Sequence, residues 1–284
     1  MKRLFFTILV IIAVSCTERI DIKIDDAPSR VVIYGYITSD TMRHSIQITR
    51  SAGYFSTDSP EGISNAIVTI SDDDGNVIPL VECDTVRGLY QTAPDVYGEE
   101  GKTYTLDVLL NSGEHYQATA FLHNINIEID SIGLQISPIR NNIVEVLLYA
   151  QNLDTQNYYS FFIAVNDSVV NSTIDRFIVI GNTAIFGEQI TGLAVYRLNQ
   201  DKEKLNIGDK VTVCVNAIPQ EYATFVSNVQ TEIRGSVPFF GGPPANVPTN
   251  IKSVNGAVPA LGFFTAYSSR YACTIVEEDF TPKK

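Results

Sequence analysis

The chain has 284 residues, 45% hydrophobic and 18% charged, with 12 Pro and 18 Gly. That composition is globular, too apolar for a disordered chain and long enough for one large domain or two medium ones. A formal charge of −12 repels phosphate and argues against nucleic acid as a partner, while the lack of Trp and the presence of only 3 His argue against a Trp-platform sugar site or a His-rich metal centre.

Residues 1–15 read as a secretory signal peptide. Lys2 and Arg3 supply the positive start, and the apolar run 4–14, broken by Thr7, is too short to span a bilayer comfortably. Ala13-Val14-Ser15-Cys16 then resembles a bacterial lipobox, with Ala13 where such motifs prefer Leu. In that reading the Cys16 thiol takes a diacylglycerol and becomes the new N-terminus. The alternative is an ordinary cleaved signal in which Cys16 is incidental; the lack of any further apolar stretch favours the lipid anchor. Residues 16–27, with Glu18, Asp21, Asp25 and Asp26, read as a polar tether. Acidic residues after a lipidated Cys resemble a surface-export signal of Bacteroidetes lipoproteins, interrupted here by Arg19 and Ile20.

Strand patterns begin at Arg30. The runs 31–38, 45–50, 66–71, 77–82, 88–92, 103–110 and 114–121 are short and rich in β-branched and aromatic residues. Alternation is clear where Tyr104, Leu106, Val108 and Leu110 are spaced by Thr103, Thr105 and Asp107. Asp72-Asp73-Asp74-Gly75-Asn76 and Asn111-Ser112-Gly113 read as hairpin turns. Residues 28–122 are therefore expected to form one Ig-like β-sandwich of about seven strands.

Residues 123–127 read as a linker to a second β-rich domain, 128–284. Its expected strands are 129–136, 143–151, 158–166, 176–180, 190–198 and 210–217. One helix is legible: Tyr222, Phe225, Val226, Val229 and Ile233 share one face, with Pro219 suited to the first turn and Gly235 to the stop. Residues 237–251 carry Pro238, Pro243, Pro244 and Pro248 with Gly241 and Gly242, and read as a long irregular loop. Two further strands are expected near 260–267 and 271–277. The fold class expected is all-β: a sandwich plus a second antiparallel β domain bearing one amphipathic helix.

Several of these segments resemble a family of Bacteroidetes outer-membrane lipoproteins known as domain of unknown function 4249. Val31-Val32-Ile33-Tyr34-Gly35-Tyr36-Ile37-Thr38 is similar to its opening strand, and 66–76 to its first hairpin. Gly88-Leu89-Tyr90-Gln91-Thr92 and Gly101-Lys102-Thr103-Tyr104-Thr105-Leu106 follow in the family's order, as does Asn157-Tyr158-Tyr159. The most telling block is Asn246-Val247-Pro248-Thr249-Asn250-Ile251 followed by Gly262-Phe263-Phe264-Thr265-Ala266-Tyr267. Tyr36 departs from the Trp more often expected there and keeps an amphipathic ring. The resemblance covers nearly the whole mature chain. It implies an outer-membrane lipoprotein often encoded beside a TonB-dependent receptor, and carries over no catalytic residue.

The residues that could bear chemistry are few. Asp72 to Asn76 offers hard oxygen ligands for Ca²⁺, but an EF-type loop needs Gly at the sixth position and here it stands fourth, so a solvated turn is the reading kept. Cys83, Cys214 and Cys273 leave an odd number of thiols after Cys16; Cys214 and Cys273 could pair, or remain free as small hydrophobes. His44, His115 and His123 are scattered, and no G-x-S-x-G elbow or zinc spacing is present. Phe239 and Phe240, in the long loop, are the candidate contact residues for a partner or ligand, or they fold back onto the sandwich ends. Tyr54, in an earlier loop that also carries Phe55, reads as folded back.

The expected function is non-catalytic, with no cofactor and no metal. A protein anchored to outer-membrane lipid through Cys16, on the surface or the periplasmic face, would work with a TonB-dependent receptor in nutrient capture or uptake. The alternative is a surface adhesin or pilus-type subunit, marked by an exchanged strand edge.

Overall fold

A computed structural model describes residues 29–52, 59–151, 158–181, 189–234 and 247–280. Side-chain alternation sets its first strands. They are β1 (Val31–Thr38), β2 (Ser45–Arg50), β3 (Ile67–Asp72), β4 (Val77–Glu82), β5 (Leu89–Gln91), β6 (Thr103–Leu109) and β7 (His115–Phe121). In β6, Tyr104, Leu106 and Val108 are buried and Thr103, Thr105 and Asp107 are not, the period-two pattern of a strand with one face on a core. After β7 come β8 (Glu128–Ile136), β9 (Ile143–Gln151), β10 (Tyr158–Val165), β11 (Ser168–Val169) and a 3-10 turn at Ile174–Arg176. The chain continues through β12 (Ile178–Gly181), β13 (Gln189–Asn199), β14 (Lys210–Ile218), the helix α1 (Gln220–Arg234), β15 (Lys252–Ser253) and β16 (Leu261–Ile275). Among the described residues the fold is all-β with one α-helix, as expected.

Two packed units share one sheet. The strand order β11-β10-β14-β16-β1-β2-β5-β4-β3-β6-β7-β15 runs through both, with β12 also on β10; β13, β9 and β8 form a separate three-stranded sheet. In the first unit the sheet folds over at β4, which pairs with both β3 and β5. Ile33, Ile37, Ile46 and Ile48 from one layer then meet Ile70, Leu106, Val108 and Tyr116 from the other. In the second unit the β13-β9-β8 sheet lies over β10 and β14, and Val146, Leu148 and Leu198 meet Tyr159, Phe161, Val213 and Val215.

Three expectations are corrected here. First, residues 123–127 are not a free linker: Ile125 and Ile127 are buried in the second core. Second, the division into 28–122 and 128–284 misplaces the last strand. Ile251, Ala260, Phe264 and Ala266 complete the first core. Third, the two strands expected near 260–267 and 271–277 are one strand. The first half of β16 pairs in parallel with β1, from Val32↔Leu261 to Thr38↔Tyr267, so the arrangement is not wholly antiparallel. The second half pairs antiparallel with β14, from Ala217↔Ser268 to Lys210↔Ile275.

The polar triplet Ser268-Ser269-Arg270 reads as a break in the sequence, yet the strand runs through it. Ser268 Oγ donates to the His123 carbonyl (2.6 Å), Ser269 Oγ to Asn216 Oδ1 (2.8 Å), and Arg270 to the Ile125 carbonyl (3.1 Å). Each polar group is satisfied in place, so none needs water. At the parallel seam, Gly262 has φ of +99°, and a Cβ there would run into the Ile33 carbonyl. Only Gly lets the two backbones approach this closely.

Candidate functional site: an aromatic cleft

A strand alternates, so residues that fill the two cores leave their neighbours on the opposite face of the shared sheet. On β1 those neighbours are Tyr34, Tyr36 and Thr38, and on the adjoining β16 they are Phe263, Thr265 and Tyr267. Farther along β16 the same face carries Ser269 and Tyr271, beside Asn216 and Cys214 of β14. Phe162 of β10 follows opposite Cys214. This face is aromatic where a solvated sheet would be polar.

The helix α1 covers one end of it. Tyr222, Phe225 and Val226 pack with Phe263 and Tyr267 in a third apolar cluster, and Tyr34, Tyr36, Phe177 and Val229 border that cluster. The helix takes its place from the periodic apolar face read in the sequence; Tyr222, Ala223, Phe225 and Val226 are its buried residues. The Tyr34 and Tyr222 hydroxyls hydrogen-bond to each other at 2.7 Å.

Beyond the helix the face stays open as a cleft of about 360 Å³, within the range of small-molecule sites. Tyr34, Tyr36, Tyr222, Tyr267 and Tyr271 line it together with Phe162 and Phe177. Tyr36 and Tyr267 lie with ring centroids 5.8 Å apart, and Phe162 meets Phe177 edge-on at 4.8 Å. The floor is polar and internally bonded. Asn216, fully buried, accepts from Ser269 Oγ (2.8 Å) and Cys214 Sγ (3.1 Å) and donates to Ser160 Oγ (3.2 Å). At the rim, Tyr271 OH donates to Asp40 Oδ2 at 2.6 Å.

Burial keeps these groups neutral. It pushes the Cys214 thiol up to about 12 and raises the phenols of Tyr34, Tyr36, Tyr222, Tyr267 and Tyr271 above their ordinary value. Burial, with the Asp40 carboxylate adding to it, therefore keeps the Cys214 thiol protonated, which is the opposite of an activated nucleophile.

The residues singled out from sequence stand elsewhere. Cys16, Phe239, Phe240, Tyr54 and Phe55 lie outside the described residues. His44 is buried, with Nδ1 accepting the Thr38 N–H at 3.4 Å and Nε2 facing the Val96 carbonyl at 3.2 Å. Burial holds its pKa below the usual value, so it is neutral. His115 bonds Asp107 at 3.0 Å, and His123 packs edge-on to Phe121 at 4.8 Å. The structure does not bring the three together. In the 72–76 turn, Asp72 Oδ1 accepts the N–H groups of Asp74 (3.1 Å) and Asn76 (2.9 Å). Lys102 Nζ stands 3.2 Å from Asp72, 3.0 Å from Asp74 and 3.0 Å from Glu99, so an ammonium already sits among the carboxylates. Cys83, Cys214 and Cys273 are free. Cys214 faces Tyr271 and Cys273 faces Thr212, so the two thiols sit diagonally rather than opposite. Several cleft residues drew notice in the sequence for other reasons, Tyr36 for its departure from Trp, Tyr222 for its helix face and Cys214 for a possible pairing, but nothing there brought them together. The missed signal is the double character of β1: Ile33, Gly35 and Ile37 alternate with Tyr34 and Tyr36, so both faces are suited to burial.

Comparison with known proteins places the chain without giving it an activity. No curated protein matches it. A family model, the domain of unknown function DUF4249, matches residues 17–271. The chain belongs to the DUF4249 family.

Proposed function

We propose that this chain is a non-catalytic, lipid-anchored protein of the outer membrane that holds a small ligand in the aromatic cleft and works beside a TonB-dependent receptor in nutrient capture or uptake. One observation carries the holding role: a preformed cleft of about 360 Å³ walled by neutral aromatic groups over a bonded polar floor. Such a wall offers area and hydrogen bonds to a ligand and no activated group to react with it.

The anchor rests on Ala13-Val14-Ser15-Cys16. Among the described residues no helix is long and apolar enough to cross a membrane. The tether joins the body at the start of β1, whereas the cleft runs from Tyr34 toward Met42, past the far end of that strand. Tyr34 stands three residues, roughly 10 Å, from the start of β1, so the cleft opens partway along the strand and continues away from the tether. Confinement to the membrane plane would raise the effective concentration near a receptor without a large interface.

The adhesin reading needs a free strand edge. β13 is an edge strand, but bulges at Thr191/Leu193 and Ala194/Tyr196 interrupt its ladder, and bulged edges resist strand addition. The test is a cross-linked pull-down from native outer membranes through a C-terminal tag, read by mass spectrometry. Stoichiometric recovery of a TonB-dependent receptor is expected; self-cross-links alone would overturn the reading in favour of the adhesin. Cys16→Ala is expected to leave the membrane fraction, and its continued sedimentation with membranes would sink the anchor.

A further inference from the structure

We infer that the cleft selects ligands carrying one organic cation, an ammonium or guanidinium group, on an apolar body. The inference rests on the reading of the cleft as a ligand site. It comes from the charge inventory of the walls. Among the described residues Asp40 is the one charged residue lining the cleft, and neither Lys nor Arg lines it.

The nearby cations are turned elsewhere. Arg43 donates to the Thr92 carbonyl at 3.2 Å, and Arg270 to Glu100 and the Ile125 carbonyl. The neighbouring imidazole of His44 is held neutral by burial. The Asp40 carboxylate takes a 2.6 Å hydrogen bond from the neutral Tyr271 hydroxyl, and the N–H of Asp40 lies 3.2 Å from Thr38 Oγ1. Its carboxylate is thus hydrogen-bonded but not neutralised by any described cation. An anionic ligand would leave water, meet this carboxylate and find no counter-charge, a cost that apolar contacts do not repay. A cation gains the carboxylate and the faces of the surrounding phenol rings, which attract positive charge through their quadrupoles. Met42, at the same rim, adds a polarizable thioether beside the carboxylate. The remaining walls, Phe162, Phe177 and Val169 among them, suit an apolar body.

The test uses three probes with the same ring and different charge: cyclohexylmethylamine, cyclohexylmethanol and cyclohexanecarboxylate. None absorbs where tyrosine does. With 14 Tyr and 0 Trp, the protein's emission is all from tyrosine, and the cleft's Tyr34, Tyr36, Tyr222, Tyr267 and Tyr271 contribute the part that a ligand changes over a constant background. At neutral pH and low salt the ammonium is expected to bind at least about tenfold tighter than the alcohol, and the carboxylate weakest of the three. In Asp40→Asn, which keeps an acceptor for Tyr271, the ratio of ammonium to alcohol is expected to fall to the few-fold preference that the ring faces alone supply. Equal binding of amine and alcohol by the wild-type protein would overturn the cation preference and leave the cleft as a ligand site. Failure of all three to perturb emission or to compete with one another would overturn the ligand site itself. An unchanged ratio in Asp40→Asn would move the selectivity to another group and refute the role given to this carboxylate.

Discussion

Phe264→Ala tests whether the last strand is structural to the first unit. The ring is fully buried in the core built from β1, β2, β3, β6 and β7, although it belongs to β16. Removing a buried Phe to the β-carbon costs about 3–5 kcal/mol, since the lost transfer energy is joined by a cavity term. In a protein of this size that lowers Tm by roughly 6–20 °C. It is a large share of a typical folding free energy of about 5–15 kcal/mol. Because β16 continues from β1 into β14, the second unit should feel the loss too. Calorimetry is expected to give one endotherm, displaced as a whole. Hydrogen exchange should show reduced protection both at Leu106 and Val108 in β6 and at Val213 and Val215 in β14. A fall below about 3 °C, or two endotherms of which one stays in place, would refute the shared-strand argument.

Gly262→Ala should destabilise by about 1–3 kcal/mol in a urea titration, through positive φ and the clash with the Ile33 carbonyl; a neutral result would remove the steric case. Hydrogen bonds from Asn76, with help from Lys102, hold Asp72 at about 2, below its ordinary 3.8. Its contribution is therefore complete above the ordinary value and is lost as pH falls toward about 2. The gap in denaturation midpoint between wild type and Asp72→Asn should shrink from pH 5 to pH 2.5, and a constant gap would refute this. At pH 8 Cys214 in the folded protein should alkylate roughly a thousandfold slower than an ordinary exposed thiol. The exposed Cys273 supplies the internal comparison. In denaturant without reductant Cys83, Cys214 and Cys273 should all take the label, and protection of any pair would reveal a disulfide.

Much of the strand pattern is legible because one-sided burial writes a period of two into the chain, as in β6. The helix is legible for the equivalent reason at its own period. What stays hidden is pairing between distant segments. Nothing local in Leu261 to Tyr267 says that it lies parallel to β1, since register is a property of two strands. Ser268 and Ser269 read as a break because their partners, His123 and Asn216, are remote in sequence. The cleft follows the same rule. Tyr34 and Tyr36 announce a second buried face, but the closing residues Tyr222, Tyr267 and Tyr271 come from strands and a helix far along the chain. Asp40 carries no signal at all: one carboxylate in a turn acquires meaning only from the absence of cations around it.

The seam between β1 and β16 also orders events in time. Arg30 and Pro259, which hydrogen-bond beside that seam, are 229 residues apart. A chain that emerges N-terminus first from the ribosome presents β1 with one neighbour from β2 and one bare edge until Leu261 to Tyr267 have arrived. The first sandwich begins early and stays incomplete until Ile251, Ala260, Phe264 and Ala266 arrive. Contacts of such long sequence separation form slowly, and a bare edge in the interval invites wrong partners. The vulnerable interval is thus the one before β16 is made, and a stabilising change confined to the finished fold would not shorten it.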